Sequence, residues 1–146
     1  MTIREHPLAW RWTDPEHAVL PDDVLDRMVP FSPEKAADLF KHSCSSNGRD
    51  GLSTDLFEVR VISSASMSSA EGRAWLCSQQ PDTGAKVFLS WQPNTAIMTT
   101  WGIFTDYWGE FCYGASDDLN VWPEGEQWAL LFHHEDEFHF GRRKQP

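Results

Sequence analysis

Lys86-Val87-Phe88-Leu89-Ser90-Trp91 and the run from Ala96 to Phe104, with Gln92-Pro93-Asn94 between them, decide how this chain folds. Both runs are short and apolar or β-branched, and the break carries a turn signal, so together they predict an antiparallel hairpin. Downstream, Thr105-Asp106 predicts the cap of one short helix that buries Trp108, Phe111 and Cys112. After a loop from Gly114 to Asp118 come Leu119 to Trp122, a turn at Pro123 and Gly125, and a last hairpin from Gln127 to Gly141. An uncovered strand edge in that hairpin would be the place for two copies to pair. Upstream, Phe57, Val59 and Val61 alternate with Glu58 and Arg60, the pattern of a half-buried strand.

The first forty residues read mainly as helices. Leu8, Trp10 and Trp12 alternate like a short strand or extended lead-in. Thr13-Asp14-Pro15 and Ser32-Pro33-Glu34 each place a capping side chain before a proline at the first helical position. Between them Val24, Leu25 and Met28 fall on one helical face, and Ala36, Ala37 and Phe40 do the same after Pro33. Residues 43 to 54 have the small polar composition of a loop, and Ser68 with Glu71 offers a capping box that Gly72 weakens. Helices first and antiparallel strands afterwards argue for a single α+β domain over residues 1–146. Its N-terminal helices are expected on one face of an antiparallel sheet built mainly from the C-terminal half.

At 146 residues with 40% hydrophobic and 23% charged side chains, the chain can build a core without a metal or disulfide staple, and fibrous or wholly disordered classes are excluded. No apolar run approaches bilayer length and MTIREHPLAW has no apolar signal stretch, so the expected location is cytoplasmic. Cys44, Cys77 and Cys112 are odd in number and widely spaced, which fits reduced thiols.

Charge is unevenly placed. The formal net charge is -10, and residues 87 to 141 carry nine acids with no Lys or Arg. Most of these carboxylates lack local ion-pair partners and are expected to face water as an anionic surface. Such a field disfavours nucleic acid and anionic membranes and attracts a basic partner protein. Five of the eight tryptophans lie in the same stretch, and Trp122, between Asn120 and the Pro123/Gly125 turn, is the one expected to be exposed. Asp117, Asp118, Trp122, Glu124 and Glu126 are therefore expected to form one partner-binding patch.

The chemically richest segment is Phe132-His133-His134-Glu135-Asp136-Glu137-Phe138-His139-Phe140. With Glu135-Asp136 as a two-residue turn, His134 faces Glu137, and His139 joins them on one sheet face. Those three side chains are the candidate for a small metal-dependent hydrolase or metal-binding protein. The spacing is not a recurrent ligand pattern, and a hairpin tip usually lies in water, so the expectation is no metal. There is no Gly-x-Ser-x-Gly elbow, phosphate loop or dinucleotide fingerprint, so no catalytic residue and no cofactor is expected. Cys44 reads as an ordinary loop thiol.

Leu8-Ala9-Trp10, Pro21 to Asp26, Thr100-Trp101-Gly102-Ile103-Phe104, Trp108, Phe111 and Phe138-His139-Phe140-Gly141-Arg142 together resemble a bacterial family of small proteins of unknown function. In size, acidity and aromatic content the chain is also similar to the immunity proteins of polymorphic toxin systems. The resemblance implies no catalytic residues. Together these readings give a non-enzymatic acidic interaction domain that docks a basic partner, such as a toxin it neutralises, as the leading expectation.

Overall fold

The computed structural model describes residues 1–145. Alternating β-branched and aromatic positions build seven antiparallel strands, and the sheet is their only means of hiding that surface. A two-residue strand β1 (Ala18–Val19) pairs back only on Thr13 and Asp14. The sheet itself comprises β2 (Val29–Pro30), β3 (Phe57–Ser63), β4 (Lys86–Gln92), β5 (Thr95–Thr100), β6 (Leu119–Pro123), β7 (Trp128–His133) and β8 (Glu137–Arg143). Their order is β2-β5-β4-β6-β7-β8-β3, so the final hairpin is interior and the edges are β2 and β3. The α+β class expected from the sequence is the observed one.

The helices are α1 (Trp10–Thr13), α2 (Asp22–Leu25), α3 (Pro33–Ser46), α4 (Ser69–Gln79), α5 (Trp101–Asp106) and α6 (Trp108–Phe111). They cover both sheet faces, not one. Val87, Leu89, Leu130 and Phe140 point to a main core shared with Trp12, Leu76, Trp101, Phe104 and Phe111. The intervening residues Phe88, Trp122, Ala129 and Leu131 point the other way, where Ala36 and Leu39 of α3 and Leu52 cover them. A sheet with both faces apolar must be covered on both, and one long amphipathic helix suffices for the second.

Local expectations divide. Ser32 caps α3 by accepting from the Lys35 N–H at 3.3 Å, and the Ser68/Glu71 capping box starts α4. Gly72 lies where a Cβ would come within 2.3 Å of the Trp108 indole, whose N–H reaches the Ser69 carbonyl at 3.0 Å. The helix accepts a weak residue there because a larger one would displace the indole. Thr13-Asp14-Pro15, in contrast, is not a helix start: Thr13 ends α1, and Asp14 accepts from the Glu16 N–H at 3.0 Å as the chain enters a turn. Trp10 and Trp12 lie on the preceding helical turn.

The strand expected over Ala96 to Phe104 ends at Thr100, whose side chain accepts from the Ile103 N–H and caps α5. Trp101 to Phe104 are thus helical, and Thr105-Asp106, expected to cap the helix that buries Trp108 and Phe111, instead end α5; that second helix, α6, starts after Tyr107 with no side-chain cap. Residues 43 to 46, expected in a loop, complete α3, because Ser43 and Ser45 bond back to the Phe40 and His42 carbonyls at 2.8 and 2.6 Å. No helix among the described residues is long and apolar enough to cross a membrane.

Candidate functional site

The end of the sheet at the β7–β8 turn gathers the ionisable side chains. His133 pairs with Glu137 and Leu131 with His139, so the connection has three residues, His134 to Asp136, and only Asp136 takes a positive φ, 58°. A two-residue turn would ask left-handed backbone of both Glu135 and Asp136, whereas a three-residue loop asks it of one aspartate, a residue that tolerates it. This one-residue difference corrects the expected pairing: His133, Glu137 and His139 share a face, and His134 belongs to the loop.

Three imidazoles consequently stand in a row. The His134 and His133 rings stack at 4.2 Å between centroids, and the His133 and His139 rings are nearly parallel at 5.4 Å. Carboxylates hold the ends. Asp118, immediately before β6, accepts from the His134 backbone N–H at 3.0 Å and lies 3.0 Å from its ring Nδ1. Glu137 lies 3.1 Å from His139 Nε2. In the middle, His133 Nδ1 accepts the Glu135 N–H at 3.2 Å, which leaves Nε2 as its free donor or ligand atom.

The loop after α3 forms the wall. Asn47 and Asn120 exchange amide hydrogen bonds at 3.0 and 2.9 Å, fixing the end of α3 to β6. From there the Gly48 N–H reaches the Gly51 carbonyl at 2.6 Å. Gly51 has φ 146°, and a Cβ on it would fall 2.2 Å from His139 Nδ1. The backbone therefore lies on the imidazole, which is 5% exposed. A cleft of about 210 Å³ opens between Arg49, Asp118, His133 and His134.

Two sets of three donors come within metal-binding reach, Asp118/His133/His134 and His133/Glu135/Glu137, with the ligand atoms of each set within 4.8 Å of one another. The His134/Glu137/His139 set expected from the sequence is neither of these: the register places His133 opposite Glu137 and leaves His134 in the loop beside Asp118.

The expected partner-binding patch does not form. Asp117 is 5% exposed and makes a bidentate pair with Arg11 at 2.6 and 3.0 Å, beneath the Tyr113 and Trp10 rings. Trp122, expected to be exposed, is also 5% exposed, packed between the His42 and Phe88 rings at 5.2 and 5.6 Å. Its position on β6 turns it toward α3, where the Pro123 turn cannot reach it. Glu124 is exposed, and Glu126 lies 2.9 Å from His42 Nε2. Asp118 and Glu124 flank opposite ends of β6, roughly 20 Å apart at the rise of an extended strand. The acids of residues 87 to 141 are likewise spread over the molecule, Asp106 beside Arg73 and Asp117 on Arg11.

The thiols are separate. Cys112 is buried, and that burial pushes its pKa well above the usual thiol range, with the Asp117 charge adding to the effect. Cys44 is exposed on α3.

No family model, curated protein or solved structure matches this chain. Only the geometry of its own residues speaks to what it does.

Proposed function

We propose that the protein is a non-enzymatic acidic interaction domain that docks a basic protein partner, and that it does so through the β7–β8 end of the sheet. The observation that supports this is the company its carboxylates keep. Asp118 and Glu137 pair with imidazoles, Glu135 and Asp136 have no ion-pair partner, and no Lys or Arg bridges any of the four among the described residues. Without a Lys or Arg ion pair these four carboxylates present negative charge at one end of the sheet, which favours encounter with Lys/Arg-rich surfaces and repels phosphate backbones. A basic toxin, the partner that the likeness to immunity proteins implies, has this chemistry, and the net charge of -10 adds long-range attraction. Cytoplasmic placement belongs to the same reading.

A fluorescent Lys/Arg-rich peptide titrated by anisotropy provides the test. Binding should weaken steeply with salt, and Asp118→Asn/Glu135→Gln/Asp136→Asn/Glu137→Gln should remove most of it, whereas Glu124→Gln/Glu126→Gln should not. Equal losses in the two variants would remove the hairpin end from the interface.

Metal binding is a second reading, favoured specifically by the Asp118/His133/His134 set. Two imidazoles and a carboxylate suit zinc or a neighbouring first-row ion, with water completing the shell. Calorimetry with zinc should then give one site per chain that His133→Ala abolishes. Unchanged stoichiometry in that variant would exclude the set.

A further inference from the structure

The two edges of the sheet are unlike. β2 has two residues and ends in Pro30, a blunted edge. β3 has seven residues, with Val61 53% exposed and Glu58 and Arg60 exposed beside it. Its ladder with β8 fixes which way each peptide points. The Lys144 N–H bonds the Leu56 carbonyl at 2.9 Å and the Ser64 N–H bonds the Asp136 carbonyl at 2.7 Å. These even-numbered positions bracket the strand, so Glu58, Arg60 and Ile62 turn their backbone groups to β8. Val59 and Val61 turn theirs outward, where no hydrogen bond among the described residues reaches them. The Phe57 N–H is taken by the Ser53 carbonyl at 3.0 Å, which closes the edge at that end.

We propose that this edge pairs with the same edge of a second copy, antiparallel about a two-fold axis at Val59, and makes the protein a homodimer with one continuous sheet. The choice of occupant rests on charge. An axis at Arg60 would set Arg60 against itself, and an axis at Val61 would set Arg60 against Ile62. The axis at Val59 sets Glu58 of each copy against Arg60 of the other, twice. These are non-hydrogen-bonded pairs, in which facing side chains come closest. Neither Glu58 nor Arg60 makes an ion pair within the chain among the described residues. The outward groups fit the same register: Val59 exchanges both hydrogen bonds with its counterpart, and each Val61 N–H meets the free Phe57 carbonyl of the other copy. Such isologous pairing is the closed form an unprotected edge can take.

Sedimentation of the full chain across a range of concentrations tests this, since dimer formation is concentration-dependent. The species should pass from 16.7 kDa to twice that mass. Glu58→Arg alone and Arg60→Glu alone place like charges opposite each other and should weaken association about tenfold or more. Glu58→Arg combined with Arg60→Glu reverses both pairs and should restore it. Val61→Pro should abolish it while leaving melting temperature and circular dichroism of the monomer unchanged, because the lost N–H points away from β8. A monomer at every concentration, a dimer indifferent to the single reversals, or a double reversal that stays dissociated would each overturn the proposal.

Discussion

Replacing Arg11 by methionine keeps most of the side-chain volume and removes the charge that neutralises Asp117. Both side chains are over nine-tenths buried, and the guanidinium makes bonds of 2.6 and 3.0 Å to the carboxylate. In the variant the carboxylate keeps one partner, the Tyr113 N–H at 2.9 Å. Breaking a buried pair from one side costs about 3–5 kcal/mol, since the remaining ion has lost water and partner alike. Loss of the cation from above the Tyr113 ring, 4.2 Å away, adds about 1 kcal/mol. Arg11→Met should thus destabilise by about 4–6 kcal/mol, read as a fall of the urea midpoint at unchanged slope, or of the melting temperature by roughly 10–20 °C. Asp117→Leu should cost a similar amount by stranding the guanidinium. The double variant should cost clearly less than the sum, because removing both ions strands neither. Additive costs, or a loss under about 1 kcal/mol for Arg11→Met, would refute the account of this pair as the clamp joining α1 to the 112–118 segment. A docking role for Asp117 carries the opposite signature, weakened partner binding with stability unchanged.

Two other perturbations test the site and the core. Gly51→Ala combines a φ of 146° with a Cβ 2.2 Å from His139 Nδ1, so it should cost about 2–3 kcal/mol in denaturant titration and shift the His139 ring resonances; an unchanged midpoint would mean that the loop does not lie on the imidazole. His6 is buried, which lowers its pKa to about 4, while the Ala96 backbone offsets part of the effect. Between pH 6.5 and pH 4 the unfolded chain binds a proton there that the native chain refuses, so stability is lost as pH falls through that window. The loss reaches about 3 kcal/mol at the acid end. His6→Gln should flatten the slope between pH 7 and pH 4.5 relative to the original chain, and parallel curves for the two would exclude His6 as its source.

The fold was legible where side chains alternate strictly. Phe57, Val59 and Val61 against Glu58 and Arg60 read as a strand and form one, and Ser32-Pro33 followed by Ala36, Ala37 and Phe40 at helical spacing reads as a helix start and is one. The text of Trp101-Gly102-Ile103-Phe104 was ambiguous, because an apolar run without polar alternation suits a buried strand or a buried helix. The tertiary structure decided it: the Trp101 indole N–H reaches the Gln80 carbonyl at 2.7 Å and its ring stacks at 5.4 Å on Phe104, contacts that no local pattern encodes. The second covered face was missed for a related reason. Trp122, Ala129 and Leu131 are interleaved with main-core residues, and a strand apolar on both sides reads as a run rather than as two faces.

At the site the composition was legible and the geometry was not. The His/Glu/Asp segment named its own chemistry, but the partners of those residues depended on whether the turn held two residues or three. Side-chain direction in a strand repeats every second residue, so a slip of one exchanges His133 for His134 and changes every neighbour on that face. Nothing within residues 132–140 forces the choice except Asp136, which accepts the one left-handed position a three-residue loop requires. Charge misled in the opposite way. The nine acids between residues 87 and 141 are contiguous in the chain, but each strand carries the backbone from one end of the sheet to the other. Acids at successive turns therefore alternate between ends, Asp118 with Glu135 at one and Glu124 with Glu126 at the other. In a meandering sheet, sequence neighbours across one strand are spatial opposites, and residues two turns apart are the ones that meet.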